Sequence, residues 1–486
     1  MTTSINATGS GAITSTGIGS GLDVNAIITG LMKVETLPLN RLEDQATSIQ
    51  TTISAFGAVK SAMSGFRDAA AALALPSTWN ATTGTSSDAS AVTVSTTANA
   101  ATGNYAIQVL SLAASHSTVS GTFASGDALA GAGTLHIDLG TWTGQTAFTA
   151  KAGSTGMDIA VTATDTLATL AAKVNAAGAG VSASVVNDAT GSRLVFSSST
   201  TGIDNAFRIT AADSDGNNTD ANGLSALAYD PPGGTGTTTL TQAAANASAT
   251  INGLSITSAT NSLSNVLDGL TLNLAKVTTT PVQVTVAQDA AAIKKSVQTF
   301  VDAYNGLSSL LSADLKYDKD SKTAGPLQAD SAAVSLQRQL RNLIGASSAA
   351  SSTFSTLSQV GLEIQTDGTL KVNDTKLSSA MANPLELKKL FTNIDPLDPA
   401  NNGFATQLRT FGNAVLGSDG LLTSRMAGLS TKLANNREDQ DDLSERLAAT
   451  QARLQKQYTA LDSQMASINT LSTYMTQQIA NWNKSK

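Results

Sequence analysis

LNRLEDQATSIQTTISAFGAVKSAMSGFRDAAAAL, residues 39–73, carries apolar or small side chains at Leu42, Ala46, Ile49, Ile53, Phe56, Val59, Met63, Phe66, Ala70 and Leu73. Every step is of three or four residues without a break, which is a heptad stripe. Pro38 precedes the run and Pro76 follows it. Proline is tolerated at a helix start and not within one, so the spacing predicts a single helix of about 36 residues, or ~54 Å. Upstream, Val24, Ile27, Ile28, Leu31 and Val34 share one face of a shorter segment, with Asp23 placed to cap its start. Pro38 separates the two.

The other end of the chain mirrors this pattern. Met426, Leu429, Leu433, Leu443, Leu447, Leu454, Tyr458, Leu461, Met465, Ile468, Leu471, Met475, Ile479 and Trp482 follow the same rhythm, interrupted by polar Asn436 and Gln440 near the centre. No proline or glycine follows Gly428. A span of about 55 residues exceeds an ordinary globular helix and predicts a coiled coil or a helix that packs along a partner.

Between the two ends the period changes. Over 80–281, short alternating or β-branched runs at 91–95, 105–109, 135–139, 182–186, 194–197, 270–274 and 282–286 are punctuated by Gly, Asn, Asp and Thr. This reads as sheet with turns. One helix is expected inside the block at 165–177, and the PPGG stretch at 231–234 reads as a linker leading to a return strand. Helical spacing resumes after Asp289, with a further helix at 331–344 and a hairpin around Thr366, Asp367 and Gly368. The expected class is therefore α+β and multidomain, with helical ends that pack together and β-rich domains inserted between them.

Composition narrows the function. Of the 486 residues only 13% are charged and 4% aromatic, and the net charge is -7. No Lys/Arg cluster is present to hold a nucleic acid or an anionic membrane, so neither is expected as a partner. Absence of cysteine excludes disulfides, thiolate metal sites and a cysteine nucleophile. The first 21 residues lack the basic and apolar regions of a cleavable secretory signal. The longest apolar run, at 69–75, is far short of the ~20 residues of a spanning helix.

No motif promises catalysis. GIGSG at 17–21 lacks the spacing, preceding strand and following Lys of a phosphate loop and reads as a hinge. His116 and His136 stand apart from other ligand types, and neither lies in a catalytic context. Asp213, Asp215, Asn217 and Asp220 begin like a calcium loop, but Asn218 and Leu224 occupy the positions that need Gly and Glu. A polar turn is the expectation there. The acidic run Glu438, Asp439, Asp441, Asp442 and Glu445, flanked by Arg437 and Arg446, reads as a solvated helix face. No enzyme activity, cofactor or metal is expected.

Several segments carry a resemblance. GIGSGLD at 17–23, LPLNRL at 37–42 and SAFGAVKSAMS at 54–64 resemble the N-terminus of the bacterial flagellar filament cap family, flagellar hook-associated protein 2. Gly103, Asn104 and Tyr105 through Leu112 and Ala113 are similar to the start of its second domain, and Ile251, Asn252 and Gly253 with Asn261 and Gly269 to its close. FVDAYN at 300–305, Gly325, Pro326 and Leu327 with Asp330 and Ser331, and YTALDSQMASINTLSTYMTQQ at 458–478 complete the pattern. Residues 165–202 also resemble a short module of hook and flagellin outer domains. Flagellin's own N-terminal signature is absent.

The resemblance implies export through the flagellar type III apparatus and assembly as a homo-oligomeric ring, commonly a pentamer, at the distal filament tip outside the cell. There the family helps flagellin fold and insert. It also implies contacts with hook-filament junction proteins and, at the C-terminal region, with a cytoplasmic export chaperone, and it allows adhesion to host mucin or glycan. A surface adhesin using the β block and a hook-filament junction protein stay open as alternatives. The expected division is an N-terminal leg at 1–38, a helical bundle from 39–79 and 289–424, and a β-rich plate from 80–125 and 239–288. An outer β domain at 126–238 and a coiled-coil leg at 425–486 complete it. Partner-binding residues are expected on the leg surfaces, at Ile27, Leu31, Leu461, Met465, Ile468, Leu471 and Met475.

Overall fold

The computed structural model describes residues 23–233, 236–320 and 322–484. The GIGSG stretch read as a hinge lies outside them. Two compact units form, one from Met1–Pro76 with Lys294–Lys486 and one from Ser77–Ile293.

The first unit is helical and draws on both ends of the chain. Its axis is the helix Leu37–Leu73, which starts slightly earlier than the spacing predicts because Pro38 sits in its first turn. Only Thr36 separates it from the preceding helix Val24–Glu35, whose start is capped by Asp23 accepting from the Ala26 N–H at 2.9 Å. Phe56, Val59, Met63, Phe66, Ala70 and Leu73 are the buried positions of the stripe. They meet the helix Ala290–Leu315, where Phe66 lies 5.5 Å from the Phe300 ring and 6.0 Å from that of Tyr304. The helix Phe404–Leu416 packs close on Leu37–Leu73 because Gly412 has no side chain: a Cβ there would come within 2.7 Å of Arg67 Cβ. The hairpin Leu362–Ile364 and Leu370–Val372 forms where the sequence puts it. It is tied down by the Tyr304 hydroxyl donating to Gly368 O at 2.9 Å and by the Asn305 amide, which pairs with both backbone groups of Leu370.

Capping and charge fix the next helix, Ser331–Gly345. Asp330 accepts from the N–H groups of Ala332 and Ala333, and Arg425 donates to its other oxygen from Nε at 2.8 Å and Nη2 at 2.6 Å. The closing helix, Leu421–Lys484, runs 64 residues, longer than the spacing suggests. Gly428 does not end it, since nothing crowds that position and its flanks are good helix formers.

The second unit holds two separate cores. An antiparallel five-stranded sheet in the order Thr82–Ser86, Val282–Gln288, Gly103–Ser111, Ala247–Ile251 and Leu254–Ser258 shares one core with a three-stranded sheet of Ser262–Leu267, Leu270–Leu274 and Val92–Thr96. Alternation puts Ile107, Val109, Val284, Val286 and Leu272 inside. The other core is built on Leu135, Ile137, Leu170, Val174, Phe196, Phe207 and Ile209. It lies among the strand Gly133–Thr143 with its neighbours, the sheet containing Val181–Asp188 and Gly191–Ser198, and the helix Leu167–Ala177. That helix begins at a Thr166–Thr169 capping box, two residues inside the expected 165–177. Strands Ser117–Val119 and Thr239–Gln242, outside 126–238 in sequence, pair with each other and through Ser117–Val119 with Gly191–Ser198. The chain passes between the two cores near Ala114 and Ala245, which bridge one another. Residues Pro231–Gly233 form a 3-10 turn just before that return strand.

Candidate assembly surface

The long C-terminal helix has two halves with different surroundings. From Leu422 to Leu447 its stripe faces inward: Leu422, Leu429, Leu433 and Leu447 are buried, and the helix packs on Leu37–Leu73 and Val24–Glu35. Asn436 is buried within this seam, accepting from Gln440 Nε2 at 2.6 Å, while Gln440 also reaches Leu42 O at 3.3 Å and Asn436 Nδ2 lies 3.5 Å from Gln45 Oε1. These contacts run the two helices antiparallel, Leu42 beside Gln440 and Gln45 beside Asn436. The acidic run is exposed, as a solvated face.

Beyond Leu447 no described residue of the helix is buried, yet the apolar rhythm continues. Leu461 is 44% exposed, Ile468 59%, Leu471 62% and Met475 54%, while Met465 is half-buried. With steps of four, three, three and four, these five expected site residues lie along one side of one helix over about 21 Å. Tyr474, Ile479 and Trp482 extend the same exposed band. Tyr474 fell outside the sequence reading because the heptad count assigned the position to Met475, although it stands three residues after Leu471.

Ile27 and Leu31 belong to the N-terminal helix. Here the sequence reading put five residues on one face, whereas the structure buries Val24 and Ile28, leaves Ile27 half-buried and exposes Leu31. The buried pair is four residues apart, so that helix turns a narrower edge inward than its composition suggests.

Elsewhere the polar clusters are occupied locally. Asp213, Asp215, Asn217 and Asp220 accept hydrogen bonds from Ser225, Asn217, Thr219 and Asn222, as in stacked polar turns. His136 lies between two carboxylates, Nδ1 at 2.5 Å from Asp158 and Nε2 at 3.0 Å from Asp138, and Arg208 completes the row at 2.8 Å from Asp138. Among the described residues no group of three or more His, Asp or Glu is placed to hold a metal ion. None of the helices described is long and apolar enough to cross a membrane.

A bundle closed from both chain ends, β-rich insertions, and a long helix with an exposed apolar band are the marks of a subunit built for protein-protein assembly. Comparison with known proteins specifies which. Residues 20–116 match the model for the flagellar hook-associated protein 2 N-terminus, 244–470 that for its C-terminus, and 147–200 the flagellin hook IN motif. The chain is 31% identical to flagellar hook-associated protein 2 of Escherichia coli strain K12, covering 98% of this chain and 100% of that one. It is 31% identical to the B-type flagellar hook-associated protein 2 of Pseudomonas aeruginosa, covering 92% and 94%. Its structure is similar to a crystal structure of the flagellar cap protein FliD domains D1-D2-D3 from Escherichia coli, with a TM-score of 0.61, 28% identity, and coverage of 77% of this chain and 99% of that one. The chain belongs to the flagellar hook-associated protein 2 family. The adhesin and junction-protein alternatives are not favoured by these matches.

Proposed function

We propose that the protein caps the growing flagellar filament at its distal tip, outside the cell, as a homo-oligomeric ring that promotes flagellin folding and polymerisation. The observation that supports this reading is the uncovered band from Leu461 to Trp482 on a helix already folded. An apolar stripe at helical spacing is what a partner helix or groove takes. In this reading Leu461, Met465, Ile468, Leu471 and Met475, with Ile27 and Leu31 on the N-terminal helix, are the partner-binding residues. The pentameric stoichiometry, the junction proteins, the export chaperone at the same C-terminal region, and an additional adhesive role toward mucin or glycan belong to the same proposal. So does the division into legs, bundle, plate and outer domain, and so does the absence of catalysis: the role is mechanical.

The test replaces Ile468 and Leu471 together by Asp. Both are more than half exposed, so the fold stays intact by circular dichroism while filament growth on intact hooks fails and flagellin accumulates in the medium. Normal filaments from a strain carrying this variant overturn the assignment of the band.

A further inference from the structure

The five-stranded sheet of the Ser77–Ile293 unit ends in two edge strands with different surroundings. Thr82–Ser86 is covered. Its Thr82 carbonyl accepts from the Thr96 hydroxyl at 2.5 Å, the Thr82 hydroxyl donates to Thr97 O at 2.9 Å, and a Cβ on Gly84 would come within 2.7 Å of Val94 Cγ1. Leu254–Ser258, at the other edge, is bare. Asn252 at φ 49 and Gly253 at φ 84 make the two-residue turn that joins it to Ala247–Ile251, so Ile251 and Leu254 are the hydrogen-bonded pair that closes the hairpin. Pairs then alternate: Ala249 with Ile256 is bonded, whereas Thr250 with Ser255 and Ser248 with Thr257 are not. Ser255 and Thr257 therefore point their N–H and C=O groups away from the sheet, and among the described residues no hydrogen bond reaches them. Beyond them Ala259 O accepts from the Thr201 hydroxyl at 2.7 Å, which ends the open stretch.

The side chains leave the same edge unfinished. Leu254, Ile256 and Ser258 fall on the face where their neighbours Ala247, Ala249 and Ile251 are buried, yet Leu254 is 69% exposed and Ile256 half-buried. The usual guards against strand addition are missing from this strand: it has no lysine, no proline and no bulge against its neighbour. No charged residue occurs between Asp230 and Asp268. By contrast, the edge strand Met157–Val161 in the other core carries Asp158.

Unpaired backbone at a sheet edge is complementary to another strand, and the neutrality of this stretch lets that strand be its own copy, because symmetric pairing brings like side chains together. We infer that Leu254–Ser258 pairs antiparallel with the same strand of a second copy of this chain, about a two-fold axis at Ser255. In this register Ser255 exchanges both backbone hydrogen bonds with Ser255 of the second copy. Leu254 stands opposite the second copy's Ile256, and Ile256 opposite its Leu254, so the uncovered ends of the two cores cover one another. Thr257 comes beside the second copy's Gly253, where no side chain obstructs. An axis one residue further on, at Ile256, would instead set Gly253 against Ala259, whose outward side Thr201 occupies. Because both chains use the same patch, the contact joins chains in twos and closes no ring; it is separate from the ring contacts proposed above. A five-residue edge is far smaller than the ~1,200 Å² of a standing complex, so the pair is reversible.

The chain has no cysteine, so an introduced one reports without background. Leu254→Cys and Ile256→Cys are made separately in the full chain and oxidised alone and as a mixture. Directly opposed residues of a non-hydrogen-bonded pair lie about 4.5 Å apart at Cα, within reach of a disulfide, so the mixture forms a two-chain disulfide at least about tenfold faster than either variant alone. Ser255→Lys, added to both, leaves the thermal midpoint unchanged because position 255 is exposed. It slows the mixed crosslink about fivefold by setting two like charges on the axis. Absence of the mixed disulfide, equal rates in the mixture and in either variant alone, or a crosslink that the lysine leaves unslowed overturns the inference.

Discussion

Removing Arg425 probes how the helical unit is held, because the group it leaves behind cannot escape. Asp330 has a side chain only 5% exposed and takes four hydrogen bonds, two from the first turn of Ser331–Gly345 and two from the Arg425 guanidinium. Arg425→Met keeps the aliphatic packing of the stem and deletes both charged donors. Breaking one side of a fully buried pair costs about 3–5 kcal/mol, since the remaining ion is uncompensated. Arg425 itself is 34% exposed, so water replaces part of its contribution, and about 2 kcal/mol is the fitting magnitude. Asp330→Asn behaves differently. The amide oxygen still caps the helix, and Arg425 turns outward to solvent, so the loss is about 1 kcal/mol. The double variant costs less than Arg425→Met alone, about as much as Asp330→Asn, because the amide leaves no buried charge to compensate. Hydrogen exchange of the amides in 331–345, measured on the full chain, reads this locally and avoids assuming one global transition. Arg425→Met accelerates exchange there roughly thirtyfold and Asp330→Asn about fivefold. Equal effects of the two single changes, adding fully in the double variant, refute the claim that neutralising a buried carboxylate is what Arg425 does.

Two further predictions test other parts of the molecule. Hydrogen bonds to Asp158 and then Asp138 raise the His136 pKa above its ordinary 6.5, against the opposing effect of burial. Its contribution to stability is therefore full below about 6.5 and lost as pH rises through the folded value. By NMR titration His136 holds its proton above pH 6.5 and Asp158→Asn lowers the midpoint; an unchanged midpoint in that variant refutes the pairing. Asn436→Leu replaces a buried amide in the helix seam by an apolar group, so the seam gains about 1–2 kcal/mol but loses the contacts that set its register. Cysteine pairs placed across the two helices a turn away from Asn436 and Gln440, leaving both amides in place, crosslink specifically in the unchanged seam; in Asn436→Leu the same pairs lose yield to neighbouring registers.

The helical unit was largely legible because its information is periodic and local. The stripe from Phe56 to Leu73 and the boundaries around Pro38 and Pro76 follow from spacing alone, as do the hairpin at Asp367 and Gly368 and the helix after Asp330. The strands were legible where they alternate about a core, as at Leu135 and Ile137 or Val282 and Val284. Thr82–Ser86 and Leu254–Ser258 were not, because they lie on the edges of their sheet and need no apolar alternation. The passage between the two cores was hidden for a different reason: Ser117–Val119 finds Thr239–Gln242 across the whole of residues 120–238, and no local signal records that pairing. At the candidate surface, periodicity named the band, but only burial distinguished the half facing the bundle from the uncovered half. The Asn436 and Gln440 interruption was visible as a break in the stripe, while its link to Gln45 and Leu42 required the partner helix.

The unbroken run of the C-terminal helix has a mechanical meaning. From Leu447, its last buried residue, to Lys484 the helix extends 37 residues, or about 55 Å, with no glycine or proline at which to bend. Such a rod is a lever with its fulcrum in the seam around Asn436. A tilt of about 10° at the fulcrum swings the far end by about 12 Å, roughly the diameter of a helix. Small repacking in the bundle is thus geared up into a displacement large enough to open or close room for another chain beside it.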